Sequence, residues 1–180
     1  MSLLPLTYYP EEILLKKAEP VTKFDEEFRK LVTDMFETMY VAPGVGLAAP
    51  QIGVSLRLFV MDCSSRRDFS RRMVVANPEI TYLEGVQNGH EGCLSVPGYS
   101  FPTRRASSVI LRGQGLSGEE IHHEASDLEA RCIQHETDHC DGILYISRLT
   151  ALRKREILRS IRKKTKAGEW PSVESHSGFL

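Results

Sequence analysis

The residues of this chain with the clearest chemical potential lie in the segment QHETDH, from Gln134 to His139. His135 and His139 are four positions apart, so on a helix their imidazoles lie on one face and both can bind a single metal ion. Glu136 then lies beside that ion, where a carboxylate can accept and donate protons. The HExxH spacing predicts a catalytic metal site. An ordinary helix with two surface histidines is the alternative.

A catalytic metal ion usually has three protein ligands and keeps one position open. The third ligand is not that of the HExxHxxGxxH pattern, because the residue six positions after His139 is Tyr145. Cys93, in the turn-rich segment HEGCLSVPG, is the stronger candidate, since a thiolate binds borderline and soft divalent ions well. A buried structural thiol is the alternative for Cys93. The candidates further along the chain are Glu156, Glu169 and His176.

Hydrophobic spacing indicates the elements that must position these residues. Apolar residues recur at helical spacing after Asp25, which predicts an amphipathic helix that ends at Ala42-Pro43-Gly44. The glycine-rich segment GVGLAAPQIG, from Gly44 to Gly53, predicts a loop whose backbone passes close to another group. Five further segments predict antiparallel strands: Leu56 to Met61, Met73 to Ala76, Ile80 to Leu83, Ser107 to Leu111 and Glu120 to Glu124.

The connections between these strands are too short for crossover helices, which favours an α+β fold over a parallel, doubly wound sheet. Asn88-Gly89 is interpreted as a turn.

Ser126 precedes Glu129 by three positions, a capping-box pattern that predicts the start of the HExxH helix, and Gly142 suits its end. A last helix is predicted from about Thr150 to Ala167, with a basic outer face. Its predicted inward positions are Leu152, Ile157, Leu158 and Ile161.

Length and composition limit the class of protein. The 180 residues predict one catalytic domain over residues 1–168 and a loose tail over residues 169–180. With 23 Lys and Arg against 24 Asp and Glu, no global basic field exists for nucleic acid or an anionic membrane. No apolar run reaches the ~18–20 residues of a membrane span and no targeting peptide is visible, so we expect a cytoplasmic protein. The four cysteines lack a CxxC pair and are expected to be free thiols or metal ligands.

Three segments, in this order, resemble the signature motifs of the peptide deformylases. They are GVGLAAPQ (Gly44 to Gln51), EGCLS (Glu91 to Ser95) and QHETDH (Gln134 to His139), and the similarity covers about Tyr9 to Leu149. The resemblance implies a single deformylase domain that hydrolytically removes the N-formyl group from the N-terminal formylmethionine of newly synthesised bacterial or organellar polypeptides. The expected architecture is α+β, with antiparallel sheets packed around a central HExxH helix and with an N-terminal and a C-terminal helix.

The resemblance also implies the metal and the catalytic groups. One divalent ion is expected on Cys93, His135 and His139, natively Fe(II), with zinc, nickel or cobalt able to occupy the site. A metal ion can lower the pKa of bound water to about 7 and so supply hydroxide, while Glu136 takes a proton and passes it to the leaving nitrogen. The Gln51 side chain and the backbone N–H of Leu94 are expected to stabilise the oxyanion.

Substrate contacts are expected on both sides of this centre. The resemblance implies that the Gly46 region pairs with an extended peptide, as in strand addition, and an apolar pocket must accept the methionine side chain. Glu91 is predicted to bind substrate and also to support the metal ligands. Arg105 is its hypothesised partner. Arg131 is expected to flank the pocket with its charge outside. The residues predicted to bind substrate are Gly44, Val45, Gly46, Glu91, Leu128 and Cys132.

The sequence departs from the family pattern at one position and leaves three alternative functions open. Cys140 stands where leucine usually follows the second histidine; adjacent helical residues point about 100° apart, so Cys140 is not expected to join His139 on the metal. The alternatives are an HExxH metalloprotease, a non-catalytic metal- or peptide-binding protein, and an RNA-binding module that uses the last helix. A ribosome contact through that helix stays open, and no sequence-specific nucleic acid or membrane partner is expected.

Overall fold

The first α-helix of the described residues follows a short 3-10 helix, Glu12–Leu15, and packs against the main sheet. The computed structural model describes residues 3–64 and 71–172. Helix α1 (Glu26–Val41) begins after Asp25, whose carboxylate accepts a hydrogen bond from the backbone N–H of Phe28 at 3.1 Å. It ends before Ala42, as the sequence predicts. The apolar side chains that α1 buries are Phe28, Val32, Met35, Phe36 and Met39.

Two antiparallel sheets make up the strand content of the described residues. The larger sheet has the strand order β1-β2-β3-β6-β7, and β4 and β5 form a separate hairpin. All of these strand pairs are antiparallel, which confirms the predicted α+β class with antiparallel sheets. The strands are β1 (Gly46–Ala48), β2 (Leu58–Met61), β3 (Met73–Glu84), β4 (Gln87–Cys93), β5 (Val96–Arg105), β6 (Ser108–Gln114) and β7 (Glu120–Ser126).

Strand β3 joins two segments that the sequence predicts as separate strands. Its pairing with β6 shifts register between Ala76 and Glu79, so the chain continues through a bulge at Asn77-Pro78. Asn77 has a φ of 52°, and its side chain makes hydrogen bonds of 2.8 and 2.9 Å with the backbone of Val21. The proline therefore interrupts the pairing locally without ending the strand.

The β4–β5 hairpin is absent from the sequence prediction. Asn88-Gly89, interpreted as a turn, lies inside β4 opposite Arg104 and Thr103. Glycine and proline are frequent in this segment, and their usual place is in turns, which hides the strand signal. The error matters for function because Cys93 is the last residue of β4.

The glycine-rich segment is more regular than predicted. Gly46–Ala48 forms β1, with Gly46 opposite Met61 of β2. A 3-10 helix, Ala49–Ile52, follows and buries all four of its residues. The backbone at Gly46 does pass close to another group, as described below.

Helix α2 (Asp127–Cys140) carries the HExxH residues and packs against the larger sheet. It begins after Ser126, as predicted, but the Ser126 side chain makes no capping hydrogen bond, so the predicted capping box is wrong. Asp127 has a φ of 51°, and this left-handed residue sets the direction in which the chain enters the helix. Every residue from Ala130 to Cys140 is buried, so α2 is enclosed on all sides over most of its length.

Helix α3 (Ala151–Lys166) has Thr150 as its N-cap, with the hydroxyl accepting a hydrogen bond from the Arg153 N–H. Ile157 and Ile161 are buried, whereas Leu152 is 64 % exposed, so its predicted inward position is wrong. Most of the basic side chains of α3 are exposed. Residues 173–180 of the predicted tail lie outside the described residues.

Candidate metal centre

The structure brings together, from two separate elements, three side chains that could bind one metal ion. Helix α2 provides His135 and His139, and the end of β4 provides Cys93. One ligand atom from each of the three lies within 4.8 Å of the other two, and Cys93 Sγ is 3.2 Å from His139 Nε2. Metal–sulfur and metal–nitrogen bonds of about 2.3 and 2.0 Å to one ion separate ligand atoms by such distances. All three residues are at least nine-tenths buried.

Each of the two imidazoles can present one ring nitrogen to a metal ion. The Nδ1 of His135 is 3.0 Å from Glu91 Oε2, so a hydrogen on Nδ1 donates to that carboxylate and Nε2 remains for a metal. Burial lowers the pKa of His139 well below its usual value, which keeps this ring neutral. Its Nδ1 has no hydrogen-bond partner among the described residues. One cysteine sulfur and two imidazole nitrogens form a ligand set that fits a borderline divalent ion.

Glu91 is the anchor of His135 and is itself held by two arginines. Arg105 donates from Nε to Oε1 at 2.8 Å and from Nη2 to Oε2 at 2.9 Å, and Arg131 Nη1 donates to Oε1 at 2.8 Å. Burial would raise the pKa of Glu91, but hydrogen bonds from Arg105 and His135 and their positive charge lower it to about 2. The residue is therefore a carboxylate that fixes the orientation of the His135 ring.

Arg131 does not have the position that the sequence suggests. Its guanidinium is buried, and besides Glu91 it donates to the carbonyl oxygens of Gly89 at 3.1 Å and Thr103 at 2.9 Å. The charge therefore points into the hairpin instead of to solvent, because Glu91 and the strand carbonyls compensate for it there. Arg131 precedes His135 by four positions, and this one-turn spacing is the sequence signal that could have identified it.

The charge network continues beneath the histidines through Asp138. Arg105 Nη1 and Arg148 Nε each donate to Asp138 Oδ2 at 2.6 Å, and Arg148 Nη2 also contacts Oδ1. Asp138 thus links α2 to β5 and to the 3-10 helix Tyr145–Arg148, which precedes α3. The contacts run from Arg148 through Asp138 and Arg105 to Glu91. Glu91 in turn restrains the His135 ring.

Glu136 faces the cavity side of the centre. It is 3 % exposed, and its Oε2 has no hydrogen-bond partner among the described residues. Burial raises the pKa of Glu136 to about 7, a value suited to a group that accepts and returns a proton near neutrality. A Cβ added at Gly46 would collide with Glu136 Oε1 and lie 2.9 Å from Cys132 Sγ, so β1 can approach this carboxylate only with glycine at that position.

The amide of Gln51 also points at the centre. Its Oε1 accepts a hydrogen bond from the Ala48 N–H at 2.9 Å, which turns Nε2 toward Cys93 Sγ, 3.6 Å away, and Ser95 Oγ, 3.3 Å away. Gln51 is 1 % exposed. A donor that is fixed in this way can contact an oxygen atom bound near the cysteine. Leu94 follows Cys93 in the hairpin turn and lines the same cavity.

A cavity of about 820 Å³ opens onto the centre, within the ~300–1,000 Å³ of small-molecule and cofactor sites. Cys132 lines it from α2, with its Sγ 3.7 Å from the carbonyl oxygen of Val45. Val45 and Leu128 are 45 and 52 % exposed, so these two side chains stand at its mouth. The remaining residues predicted to bind substrate also line this cavity: Gly44, Gly46 and Glu91.

The other candidate ligands lie apart from this group. Glu156 pairs with Arg153 on the exposed side of α3, and Glu169 is exposed after that helix. His176 lies outside the described residues. Cys140 is fully buried in the apolar cluster behind α2, and burial raises the pKa of its thiol to about 12.

An HExxH helix whose histidines converge on a cysteine, with a buried carboxylate at an apolar cavity, is the arrangement of a metal-dependent hydrolase. A sequence model of the polypeptide deformylase family matches residues 3–155. A peptide deformylase from Acidobacterium capsulatum is 49 % identical over 94 % of this chain and 100 % of its own length. One from Acidothermus cellulolyticus is 46 % identical over 97 % of this chain and 94 % of its own.

Solved structures agree with the sequence comparison. The crystal structure of a peptide deformylase from Legionella pneumophila has a TM-score of 0.86 at 41 % identity, covering 93 % of this chain and 98 % of that one. The peptide deformylase from Thermus thermophilus has a TM-score of 0.84 at 42 % identity, with the same coverage. The chain belongs to the polypeptide deformylase family, and it is a hydrolase.

Membership has consequences for the substrate and the metal. The family acts on formylated nascent peptides and uses a divalent ion, for which this chain offers a Cys-His-His site. Within the described residues, no helix is both long and apolar enough to cross a membrane.

Proposed function

We propose that this chain hydrolyses the formamide bond of N-terminal formylmethionine, releasing formate and the free amine of a newly made polypeptide. The observation that carries the proposal is the convergence of Cys93, His135 and His139 on one point beside the buried Glu136 carboxylate. These three residues would hold one divalent ion, natively Fe(II), with zinc, nickel or cobalt as substitutes. When bound, the ion lowers the pKa of water to about 7, so that hydroxide is available at neutral pH.

Glu136 moves the proton in this reaction. Its carboxylate accepts a proton as the water oxygen attacks the formyl carbon, and it donates that proton to the nitrogen as the C–N bond breaks. The pKa of about 7 suits both steps, because the group is partly ionised at neutral pH and is an adequate acid once protonated. Its free Oε2 is the atom available for this exchange.

Gln51 and Leu94 stabilise the charge that develops on the formyl oxygen. The Gln51 Nε2 is already oriented by the bond from the Ala48 N–H to Oε1, so the donor needs no reorganisation during the reaction. The backbone N–H of Leu94 is the second donor of the proposal. Each such donor contributes about 10²–10³ in rate in comparable sites.

The peptide lies along β1 and places its methionine side chain in the apolar cavity. Gly44 and Gly46 let an extended backbone approach the strand, as in strand addition. Val45, Leu128 and Cys132 form the wall for the methionine side chain. A free amino terminus would lack the formyl oxygen that Gln51 contacts.

The test compares formate release from formyl-Met-Ala-Ser with cleavage of a peptide that is blocked at both ends. Formate release without internal cleavage supports the proposal, whereas the reverse identifies a metalloprotease. Glu136→Ala should retain the bound metal and lose turnover, since its side chain is not a ligand. A Glu136→Ala protein with near-normal turnover would overturn the role of this carboxylate, and Cys93→Ser with unchanged metal content and activity would overturn the ligand assignment.

We also propose that α3 contacts the ribosome in the bacterial cytoplasm. Its exposed arginines and lysines form a basic face on a chain whose net charge is −1. Binding to ribosomal RNA through this face should weaken steeply with salt concentration, because each phosphate contact releases counterions. A binding constant that is flat with salt contradicts the contact and leaves the deformylation proposal untouched.

A further inference from the structure

The segment that follows α3 is anchored beside the active-site cavity. Trp170 Nε1 donates a hydrogen bond to the Tyr9 carbonyl oxygen at 2.6 Å. The Trp170 ring lies 6.1 Å from the Tyr99 ring, centroid to centroid, at an angle of 47°. Trp170 is also the single tryptophan of the chain. Residues 169–172 are therefore held to the N-terminal segment and to β5 at once.

Contacts with α3 fix the position of Tyr99. Residues 169–172 therefore pack against a side chain that is already held in place. Its hydroxyl donates to Ser160 Oγ at 2.7 Å, and Lys164 Nζ lies 5.0 Å from the ring centroid. Both Ser160 and Lys164 belong to α3. The aromatic pair of Tyr99 and Trp170 thus connects the last helix to the hairpin that carries Cys93.

Pro171, the residue after Trp170, lines the active-site cavity. It lines the same cavity as Cys93 and Glu136, and Leu6 and Tyr99 are also part of that lining. This apolar region is built from the N-terminal segment, β5 and the segment after α3. The proposed methionine wall, by contrast, is built from α2 and from Val45, the residue before β1.

The apolar lining of the cavity therefore comes from two sets of elements. The cavity volume of about 820 Å³ lies in the upper part of the ~300–1,000 Å³ range for small-molecule and cofactor sites. With the formyl group at the Cys-His-His centre and the methionine side chain against Cys132, the rest of the peptide must continue through the remaining space.

We propose that Pro171, held in place by Trp170, and Tyr99 form a subsite for an apolar side chain downstream of formylmethionine, so that this segment sets sequence preference. This inference rests on the proposed deformylase function. It assigns substrate selection to residues beyond the family match, which ends at residue 155. The preferred substrates are formylmethionyl peptides with apolar residues after the methionine.

The kinetic test compares formyl-Met-Leu-Phe with formylmethionine amide, which lacks downstream residues. Pro171→Gly should lower kcat/KM for the tripeptide about fourfold through KM, the effect of losing roughly one buried methylene. The value for formylmethionine amide should not change. Trp170→Ala, which removes the anchor, should act in the same direction. Leu152→Ala, at a 64 % exposed position of α3, is the matched control and should alter neither substrate.

The fluorescence of Trp170 provides a readout that does not depend on turnover. In the Glu136→Ala protein, formyl-Met-Leu-Phe should shift the tryptophan emission on binding, and formylmethionine amide should not. Equal losses on both substrates, or no loss on either, overturn the subsite. A tripeptide that binds without any change in emission does the same. If the unmodified protein releases no formate from either substrate, the proposed function fails, and the emission titration still decides whether the segment meets the peptide.

Discussion

Replacing Glu91 with glutamine tests whether a buried carboxylate fixes His135, one of the proposed metal ligands. Glu91 accepts four hydrogen bonds from described residues: two from Arg105, one from Arg131 and one from His135. The amide of glutamine retains one acceptor oxygen and presents an NH₂ donor in place of the other. Two of the four contacts then face donor against donor, and two guanidinium groups lose a buried counter-charge.

The expected loss of stability follows from these contacts. Hydrogen bonds to charged groups contribute about 1.5–3 kcal/mol each, and breaking a buried ion pair costs about 3–5 kcal/mol, so Glu91→Gln should lower the free energy of unfolding by about 4 kcal/mol. For a chain of this size that corresponds to a fall in Tm of roughly 10 °C. Metal affinity should fall by about 10–100-fold, because the orientation of His135 is no longer fixed.

The assay is thermal unfolding of the metal-free chain by circular dichroism, followed by metal competition against a chelator. Glu156→Gln is the matched control, since Glu156 forms an exposed pair with Arg153 on α3, and exposed pairs contribute under about 1 kcal/mol. If Glu91→Gln changes Tm and metal affinity no more than Glu156→Gln does, Glu91 is not an anchor and the reasoning is refuted.

Three further predictions concern single positions. Gly46→Ala should reduce kcat at least about 10²-fold with metal content intact, because its Cβ would collide with Glu136 Oε1. Formate release near the unmodified rate would contradict the close approach of β1 to Glu136. Gln51→Ala should lower kcat by about 10²–10³ without loss of metal, and a loss below about tenfold would exclude it as an oxyanion donor. In the native protein Cys140, which is 0 % exposed, should resist alkylation by iodoacetamide, while the partly exposed Cys63 reacts. Peptide mapping by mass spectrometry measures both reactions. Rapid labelling of Cys140 would mean that the apolar cluster around it opens readily.

Helix periodicity explains why part of the site could be predicted. The spacing of His135, Glu136 and His139 places them on one stretch of helix, and this depends only on local backbone geometry. The boundaries of α1 and α3 are local in the same sense, since Asp25 and Thr150 cap them within one turn. The apolar spacing of Leu152, however, predicts a buried face that α3 does not have at its first turn.

Local sequence patterns do not predict the β4–β5 hairpin. Its glycines and prolines indicate turns, yet the two strands pair from Gln87 to Cys93 because backbone hydrogen bonds form across the hairpin whatever the side chains prefer. Cys93 comes within 3.2 Å of a histidine 46 positions away, a contact that residue type and family resemblance suggested and that no local pattern could place.

Residue types and their spacing were enough to predict an HExxH helix, an α+β chain and a set of candidate metal ligands. They were not enough to say which charges would be buried together. Arg131 is predicted to face solvent until Glu91, on another element, provides the opposite charge that makes its burial tolerable. Trp170 and Pro171 are predicted to belong to a loose tail until Tyr9 and Tyr99 supply the surface on which they pack. Which face a helix presents is a short-range property, whereas the compensation of a buried charge and the closing of a cavity depend on partners that only the folded chain brings together.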